Sequence, residues 1–415
     1  MADIQALRGV RFNRRVAGPV GPLLAPPYDV AAEFTDGGEF GIRNIEASDL
    51  GAGSGNHALA ARRYQAWLKN DVIRADPKPA IYIHRHRFLL QGVPVERTGI
   101  IARVRLADWS ERVVLPHERT TTGPREERLH RLRAVEANLS PLYLLFRDPT
   151  GEIRDLMAAV DANPELDDHD QMGGAHRLTA ASHVTIHDRL ASLVAERTLF
   201  VADGHHRYEA ALIHRDECRN TRTADRDSPS EFVLALLAAV EDPGVIVRPT
   251  HRLVTGGAAN TPDAIMRMLR RWFDLRPADV TTLAVDTDLV GRVVLPRRLG
   301  TWDIFAQRGR PHLGLLPLDR GPAWLSLGVT AIEGAVNRVF SADSEEVAQH
   351  LFPVVEEANA VRDVEAGRAA AAFLLPAPTL DRLLAVAEEG DLLPPKSTWF
   401  DPKAPAGLVI SDLRL

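Results

Sequence analysis

The segment 199–212 constrains the fold of this chain more than any other, because an apolar run passes directly into a cluster of ionisable residues. Residues 199–202 are typical of a strand, Asp203 and Gly204 of a tight turn, and residues 205–212 of a helix start. A helix N-terminus carries backbone N–H groups without partners inside the helix, together with the positive end of the helix dipole. The sequence therefore predicts a binding position for phosphate at this turn.

The side chains at this turn support the same interpretation. Gly204 and Arg207 are the candidate phosphate-binding residues, since an arginine in the first helical turn can donate two hydrogen bonds to a phosphate. Asp203 stands where a strand ends, a position suited to a base or a metal ligand. Histidine side chains can titrate near neutral pH, so His205 and His206 are candidate catalytic groups. The alternative is a capped helix with exposed polar residues, but four ionisable groups at one turn favour a functional site.

A second block, Leu115–Thr122, interrupts a β pattern shortly before a predicted helix. Glu118 can bind Mg²⁺ or act as a base, Arg119 can hold a phosphate oxygen, and Thr120 can contact phosphate or cap the helix. His117 belongs to the same candidate binding group. The alternative is a threonine-rich helix cap with solvated charges. Together with the turn described above, this block supplies the cations, carboxylates and helix start that phosphoryl transfer requires.

A third block near the end of the sequence follows two prolines, which hold its approach rigid. Lys396, Ser397 and Thr398 offer one ammonium and two hydroxyl groups, which suit a phosphate or a carboxylate. The alternative is the cap of a terminal strand. The block Thr250–Arg252 is ambiguous in the same way, because a His-Arg pair after an apolar strand can reach a cleft or face water.

Two resemblances rest on these residues. Residues 202–211 resemble the Gly-x-x-Arg loop–helix signature of the ParB/sulfiredoxin-like superfamily, and their Asp-Gly-His-His-Arg form looks most like the branch that includes nucleotide-dependent free-serine kinases. In those proteins the turn and helix start hold the phosphates of a nucleotide. The resemblance implies an α/β fold with a ParB/sulfiredoxin-like nucleotide-binding core, and ATP or ADP with Mg²⁺ as cofactors.

The second resemblance covers almost the whole chain and is to a large bacterial family of unknown function. It is carried by five blocks in order: Ala25–Val30, Leu115–Thr120, Ala202–Ala211, Pro249–Arg252 and Pro394–Phe400. Trp399 and Asp401 depart from the family pattern, in which tyrosines are usual at both positions.

These observations predict a nucleotide-dependent kinase for the hydroxyl group of a small metabolite, with free serine or a related amino acid suggested by the resemblance alone. In this hypothesis residues 204–207 hold phosphates, Asp203 or Glu118 deprotonates the hydroxyl, and Arg119 and Lys396 neutralise charge on the transferred group. The same two carboxylates are the candidate metal ligands.

Two other functions stay open. One is a nucleotide-responsive binding or switch protein of the ParB-like type. The other is a small-molecule phosphomonoesterase in which His205 or His206 serves as general acid or nucleophile. Nucleotide binding without a phosphorylated product, or phosphate release without nucleotide, would distinguish them.

The composition of the chain argues against several classes of binding partner. A net charge of −6 disfavours nucleic acid as a partner. The basic run Arg125–Arg133 is interleaved with glutamates, which indicates a solvated helix face.

Cys218 is the only cysteine, which excludes an intrachain disulfide and a cysteine-rich zinc site. No signal sequence and no apolar run of ~20 residues is present, so we expect a cytoplasmic protein without membrane contact. The oligomeric state stays open.

The pattern of elements predicts two regions. Residues 1–255 contain the phosphate-binding core, and residues 256–415 form a second α/β region that contributes residues 396–398. A hairpin is predicted from runs 80–90 and 95–106; its alternation places His84 and His86 on one face, which we interpret as half-exposed. Further predictions are a lid or surface insert at 148–180, strands at 184–186 and 312–316, a helix at 344–358, and a last strand at 408–410.

Overall fold

The chain forms two compact units in the computed structural model, which describes residues 1–26, 38–46, 55–160, 164–221, 225–255, 261–278, 288–296, 298–340 and 350–415. The first unit comprises residues 1–116, 120–246 and 400–415, and the second comprises 117–119 and 247–399. The sequence placed a single boundary at 255. The boundary falls earlier because His251–Val254 forms a strand of the second unit's sheet. The sequence also predicts a rigid Pro-Pro-Tyr-Asp loop at Pro26–Asp29 and a linker at Gly256–Gly257; residues 27–29 and 256–257 lie outside the described residues.

The fold is mixed α/β, and the first unit is built around a nine-stranded sheet. In chain order the strands of this unit up to residue 239 are β1 (Ile4–Gln5), β2 (Val10–Phe12), β3 (Ile73–Ala75), β4 (Ile81–Leu90), β5 (Val93–Arg105), β6 (Val114–Leu115), β7 (Ala137–Asn138), β8 (Leu142–Phe146), β9 (Leu166–His169), β10 (Ala175–Ala181), β11 (Leu199–Asp203) and β12 (Phe232–Ala239). The sheet order is β6-β11-β8-β12-β5-β4-β10-β9, with β1 paired to β5.

Strand β12 forms the centre of this sheet, and every one of its eight residues is buried. It pairs parallel to β8 on one side and antiparallel to β5 on the other. A strand covered on both faces needs a continuous apolar run rather than alternation, and FVLALLAA is such a run. The continuous apolar run Phe232–Val240 predicts burial, and the strand residues within it are buried.

Strands β4 and β5 form the predicted hairpin, which turns through two residues. Gln91 and Gly92 have φ values of +50° and +83°, the pair of left-handed conformations that matches the twist of a two-residue hairpin. The interpretation of His84 and His86 as half-exposed is wrong, since their side chains are 1% and 3% exposed. They are buried because β10 pairs with the open edge of β4.

The last part of the segment expected to form a lid or surface insert at 148–180 therefore belongs to the sheet, while Glu152–Val160 forms a helix. Its acidic, glycine-containing composition obscured strands β9 and β10, which are joined by a tight turn at 170–174. The predicted strand at 184–186 is also wrong, because a single helix runs from Val184 to Ala195. Its buried residues Leu190, Leu193 and Val194 have helical spacing, which overrides the strand preference of the β-branched residues at its start.

Helices pack against the sheet of the first unit, and one of them carries the candidate residues His205, His206 and Arg207. The helices of this unit are α1 (Arg14–Ala17), α2 (Arg43–Glu46), α3 (Gly55–Lys69), α4 (Thr122–Val135), α5 (Glu152–Val160), α6 (Val184–Ala195) and α7 (His205–Asn220). Helix α7 follows β11 after a single residue, as the sequence predicts.

The last residues of the chain complete the first unit. Ser411–Asp412, a two-residue strand, pairs with β7, and Ile410 bridges to Val10. The predicted strand at 408–410 is thus displaced to 411–412. The Tyr64 hydroxyl donates to Asp412 Oδ2 over 3.0 Å, which anchors the same segment to helix α3.

The second unit contains an antiparallel six-stranded sheet. Its strands in sheet order are Phe273–Pro277, Thr301–Ala306, Leu289–Val294, Ala371–Leu374, His251–Val254 and Leu351–Val354. Its helices are α8 (Pro262–Trp272), α9 (Pro322–Leu325), α10 (Gly328–Phe340), α11 (Glu357–Glu365) and α12 (Leu380–Glu389). Thr261 caps α8 by accepting from the backbone N–H of Ala264, as the Asn-Thr-Pro sequence suggests.

Two predictions for the second unit are corrected. Residues 311–315 form a 3₁₀ turn opened by Pro311, not a strand, because proline fixes the first φ of the turn. The predicted helix at 344–358 is replaced, in the part described, by the strand Leu351–Val354 and helix α11. Among the helices described, none has both the length and the apolar character needed to cross a membrane.

Tyr208→Phe tests how helix α7 is fixed to the sheet. The buried Tyr208 hydroxyl donates to the carbonyl of Ala107 over 2.7 Å and accepts from the N–H of the same residue over 3.1 Å. The phenylalanine keeps the ring stacked on Trp109 but leaves two buried backbone groups unsatisfied. We expect the free energy of unfolding, measured by urea denaturation, to fall by about 1–3 kcal/mol. A change within about 0.5 kcal/mol would contradict this role.

Candidate functional site

The turn between β11 and α7 requires glycine at its centre. Gly204 has φ +100°, and a Cβ atom added there would lie 2.7 Å from the Leu142 side chain. The chain therefore passes close to β8 and reverses into α7, whose first residue is His205. We call residues 203–207 the Asp203 turn.

Arg207 is held by four hydrogen bonds to three residues. Its Nη1 atom donates to the carbonyl of Ser140 (3.2 Å), the Ser140 hydroxyl (3.0 Å) and the carbonyl of Pro141 (2.5 Å). Its Nη2 atom donates to Asp203 Oδ2 over 2.8 Å. The guanidinium group predicted to bind phosphate is thus fixed in orientation by the protein itself.

Lys403 is a member of this site that the sequence prediction missed. Its Nζ atom contacts Asp203 Oδ1, so that the Asp203 carboxylate lies between an ammonium and a guanidinium group. The chain contains only four lysines among 50 basic residues. A lysine close behind the block Pro394–Phe400 was a usable signal, because most cationic positions in this chain carry arginine.

The two histidines of the Asp203 turn have different surroundings. His205 is buried, whereas His206 is partly exposed and its Nε2 atom accepts from the backbone N–H of Thr121 over 2.9 Å. This contact places the ring proton of a neutral His206 on Nδ1. Thr120 donates from its hydroxyl to Glu209 Oε2 over 2.6 Å. Thr121, at the N-cap of α4, makes no side-chain capping bond.

A pocket lies beside Arg207, and its charged lining residues are Glu46, Arg128, Arg131 and Arg207. The Ser140 hydroxyl also lines it and donates to Glu46 Oε1 over 2.8 Å. The interpretation of 125–133 as a solvated helix face is therefore wrong for part of the run. Arg131 is only 6% exposed, because α4 packs that face against the first unit.

In the second unit, Glu118 and the loop 394–398 form a separate cluster, which we call the Glu118 cluster. Glu118 accepts from the backbone N–H groups of Lys396 (2.8 Å) and Ser397 (3.0 Å) and from the Thr398 hydroxyl (3.4 Å). Lys396 has φ +58°, which turns successive N–H groups toward one carboxylate. The sequence blocks at 117–119 and 396–398 are thus brought together.

Arg252 fixes the other side of this loop. Its guanidinium donates to the carbonyl of Lys396 over 3.0 Å and to Glu333 Oε1 over 2.8 Å, and it is 2% exposed. Burial raises the pKa of both Glu118 and Glu333, while hydrogen bonds or charges from the surrounding basic residues oppose this rise. Glu333 was not predicted; it lies on a helix without a distinguishing motif.

His117, Arg119, Ser397 and Thr398 are oriented by this cluster. His117 Nε2 lies 2.8 Å from the Thr398 hydroxyl, and the Ser397 hydroxyl donates to the carbonyl of Pro394 over 2.7 Å. Arg119 is exposed, and its backbone N–H donates to the carbonyl of Leu393 over 3.0 Å. The Lys396 side chain is also exposed.

The two predicted metal ligands have contacts that differ from those of an oxygen-rich metal site. Asp203 faces two cationic side chains, and Glu118 faces backbone N–H groups, whereas Mg²⁺ is bound by several oxygens in octahedral geometry. A magnesium ion at either carboxylate would therefore need most of its oxygen ligands from another source.

The comparison with protein families matches residues 4–352 to the family described as Protein of unknown function (DUF1015). The chain belongs to the DUF1015 family. No curated protein matches it. The match spans four of the five blocks on which the resemblance to a large family of unknown function rests; the fifth, at 394–400, lies beyond it.

Solved structures with some likeness to this DUF1015 member include a free serine kinase in complex with AMP, at 12% identity and a TM-score of 0.39, covering 76% of this chain and 93% of that one. A conserved hypothetical protein from Pyrococcus furiosus has 13% identity and a TM-score of 0.38, with coverages of 76% and 96%. SbnI from Staphylococcus aureus, truncated at its C-terminus, has 10% identity and a TM-score of 0.38, with coverages of 75% and 87%.

His251→Asn tests the electrostatics beside Arg252. Burial, reinforced by the positive charges of Arg248 and Arg252, lowers the pKa of His251 to about 4. The imidazole of His251 therefore binds a proton more tightly in the unfolded chain than in the folded protein. As the pH drops from about 6.5 to 4, this difference lowers the free energy of unfolding by roughly 3 kcal/mol. Asparagine can still accept from the Leu375 N–H, which donates to His251 Nδ1, but it does not titrate.

We expect the pH dependence of the variant, measured by urea denaturation between pH 7 and pH 4, to be shallower than that of the unmodified protein by this amount. Parallel pH profiles for the two proteins would contradict the assignment.

Proposed function

We propose that this DUF1015 member is a nucleotide-dependent phosphotransferase that transfers a phosphoryl group to the hydroxyl of a small metabolite. One observation carries the proposal. The pocket beside the Asp203 turn is lined by three arginines and a serine hydroxyl, with a single carboxylate, Glu46, among its described lining residues. In a chain of net charge −6, such a pocket favours an anion.

The construction of the pocket supports phosphate in particular. Arg207 is pre-oriented by the carbonyls of Ser140 and Pro141, so that little reorganisation is needed when charge develops on a phosphoryl group. The first backbone N–H groups of α7 follow Gly204 directly and add the positive end of a 16-residue helix. We assign the phosphate groups of the nucleotide to Gly204–Arg207, with Lys403 as an additional cation.

The two candidate bases differ in suitability. Both carboxylate oxygens of Asp203 already accept from cationic side chains, one from Arg207 and the other from Lys403. Glu118 has a pKa raised by burial, which is the direction that suits a general base near neutral pH. We therefore assign Asp203 to orienting the two cations and retain Glu118 as the candidate base.

The cofactor and acceptor rest on the resemblance of residues 202–211 to nucleotide-dependent free-serine kinases. It supports ATP or ADP with Mg²⁺ as the donor, free serine or a related amino acid as the acceptor, and a ParB/sulfiredoxin-like core around the Asp203 turn. Mg²⁺ would arrive with the nucleotide phosphates, where it neutralises charge on the transferred group.

A nucleotide-responsive switch is the second candidate, and the Glu118 cluster favours it. The N–H groups of Lys396 and Ser397 are held by one carboxylate, which an incoming phosphate can replace as acceptor. The phosphomonoesterase hypothesis has less support for His206, because its Nε2 lone pair already accepts from Thr121.

A product screen by mass spectrometry tests the kinase. Purified protein with Mg²⁺ and ATP, ADP or CTP is incubated with a pool of hydroxyl-bearing metabolites, serine included. We expect one acceptor to gain a phosphoryl group, and Arg207→Ala and Lys403→Ala to lower the rate by about 10²–10³. Arg189→Ala, which removes an exposed arginine of α6, is the matched control.

The outcomes of this screen distinguish the kinase from the nucleotide-responsive switch. Because Arg207 also holds backbone carbonyls, thermal unfolding of each variant distinguishes lost chemistry from a lost fold. Binding of nucleotide without any phosphorylated product would favour the switch. Turnover by folded Arg207→Ala at the unmodified rate would contradict the kinase assignment at this turn.

Lys396→Gly tests whether the second unit contributes to the reaction. Glycine tolerates the left-handed φ of +58°, so the loop geometry is kept while the ammonium group is lost. We expect kcat to fall by about 10²-fold if Lys396 neutralises transferred charge. Lys69→Gly, at an exposed lysine of α3, is the control for loss of a surface charge. Equal kcat values for the two variants would exclude Lys396 from the reaction.

A further inference from the structure

Two histidines and an aspartate converge inside the first unit, away from the residues assigned above. His86 lies on β4, His176 on β10, and Asp170 in the turn between β9 and β10. One nitrogen of each ring and one carboxylate oxygen all lie within 4.8 Å of one another. His176 Nε2 is 3.0 Å and His86 Nε2 is 3.7 Å from Asp170 Oδ2.

The backbone produces this convergence. His86 and His176 are direct cross-strand partners, and their rings stack with centroids 4.1 Å apart. Asp170 Oδ1 accepts from the N–H groups of Met172 and Gly174, each over 2.8 Å, which leaves Oδ2 directed at the histidines. A Cβ atom on Gly174 would lie 2.5 Å from His86 Nε2, so glycine keeps this space open.

His86 lacks the hydrogen-bond partners that a buried histidine with only a structural role has. Neither of its ring nitrogens makes a hydrogen bond within the described part of the chain, although the side chain is almost fully buried. A buried polar group without a partner raises the free energy of the folded state by about 1–3 kcal/mol. In native structures such a group calls for an explanation, of which an ion is one.

We propose that His86, His176 and Asp170 bind a divalent transition-metal ion. Ligands at the ~2.0–2.2 Å bond lengths of tetrahedral zinc are separated by about 3.3 Å, and the two measured nitrogen–oxygen distances bracket this value. Small rotations of the two rings about their side-chain bonds bring all three donors into range.

His84 supports the site through a hydrogen bond to the ring of His176. Its Nε2 atom lies 3.0 Å from His176 Nδ1, which is the nitrogen that faces away from Asp170. Metal-binding histidines commonly make such a hydrogen bond through their other nitrogen, and the bond fixes the ring orientation. His84 is therefore a positioning residue for His176 rather than a ligand.

The donor set selects the class of ion. Two imidazoles and one carboxylate suit zinc or ferrous iron, and leave a coordination position open for water or substrate. Mg²⁺ and Ca²⁺ prefer oxygen ligands and are disfavoured here. Arg97, the β5 partner of His86, donates to the carbonyl of Pro402, and its positive charge also acts on His86.

Metal titration of the full chain tests this site. The protein is stripped with a chelator and titrated with Co²⁺, whose visible absorption reports imidazole coordination, and Zn²⁺ is measured by competition. We expect one ion per chain and no competition from Mg²⁺ at equal concentration. Absence of Co²⁺ and Zn²⁺ binding to the unmodified protein would overturn the proposal.

Variants locate the ion. His86→Gln and Asp170→Asn are expected to weaken Co²⁺ affinity by at least about tenfold, and His84→Gln by a comparable or smaller factor. His169→Gln, at an exposed histidine next to Asp170 in sequence, is the matched control and should bind as the unmodified protein does. Thermal unfolding without metal confirms that each variant is folded.

The pattern among the variants decides the result. If folded His86→Gln and Asp170→Asn bind Co²⁺ as tightly as His169→Gln, the ion lies elsewhere and the assignment is wrong. This experiment is independent of phosphotransfer, since its readout is spectroscopic and its residues lie outside the Asp203 turn.

Discussion

The candidate site of the first unit depends on the hydrogen bonds made by the guanidinium group of Arg207. This group ties the start of α7 to the carbonyls that precede β8, and to the carboxylate that ends β11. A planar group with several donors in fixed directions can satisfy all three at once, which a lysine cannot. The same residue lines the pocket, so local stability and the proposed recognition of an anion rest on one side chain.

The sequence predicts those elements whose hydrophobic pattern is regular. The β4–β5 hairpin, the apolar strand β12 and the β11–α7 junction follow from alternation, continuous apolar runs and helical spacing. Strands β9 and β10 were missed because polar and small residues dominate them, and their place in the sheet is determined by pairing rather than composition.

In the candidate site, too, the sequence predicts contacts between residues that are close in the chain but not contacts between distant residues. Asp203 and Arg207 are four residues apart, so their proximity is visible in the sequence. Lys403 reaches Asp203 across 200 residues, and Glu118 reaches Ser397 across 279, contacts that no local pattern encodes. The burial of Arg131 depends on which face of α4 packs inward. The spacing of charges alone predicts that this face is solvated, which is incorrect.

The return of residues 400–415 to the first unit has a consequence for how the protein is made. The segment that carries Lys403 leaves the ribosome only after the intervening stretch Val247–Trp399 has been synthesised. At about 5–20 residues per second this interval lasts roughly 8–30 s. Throughout it, the early part of the first unit lacks one of its pairing strands and the ammonium partner of Asp203. Nascent chains therefore pass through a period in which β7 presents an unpaired edge, a state open to chaperones and to mispairing.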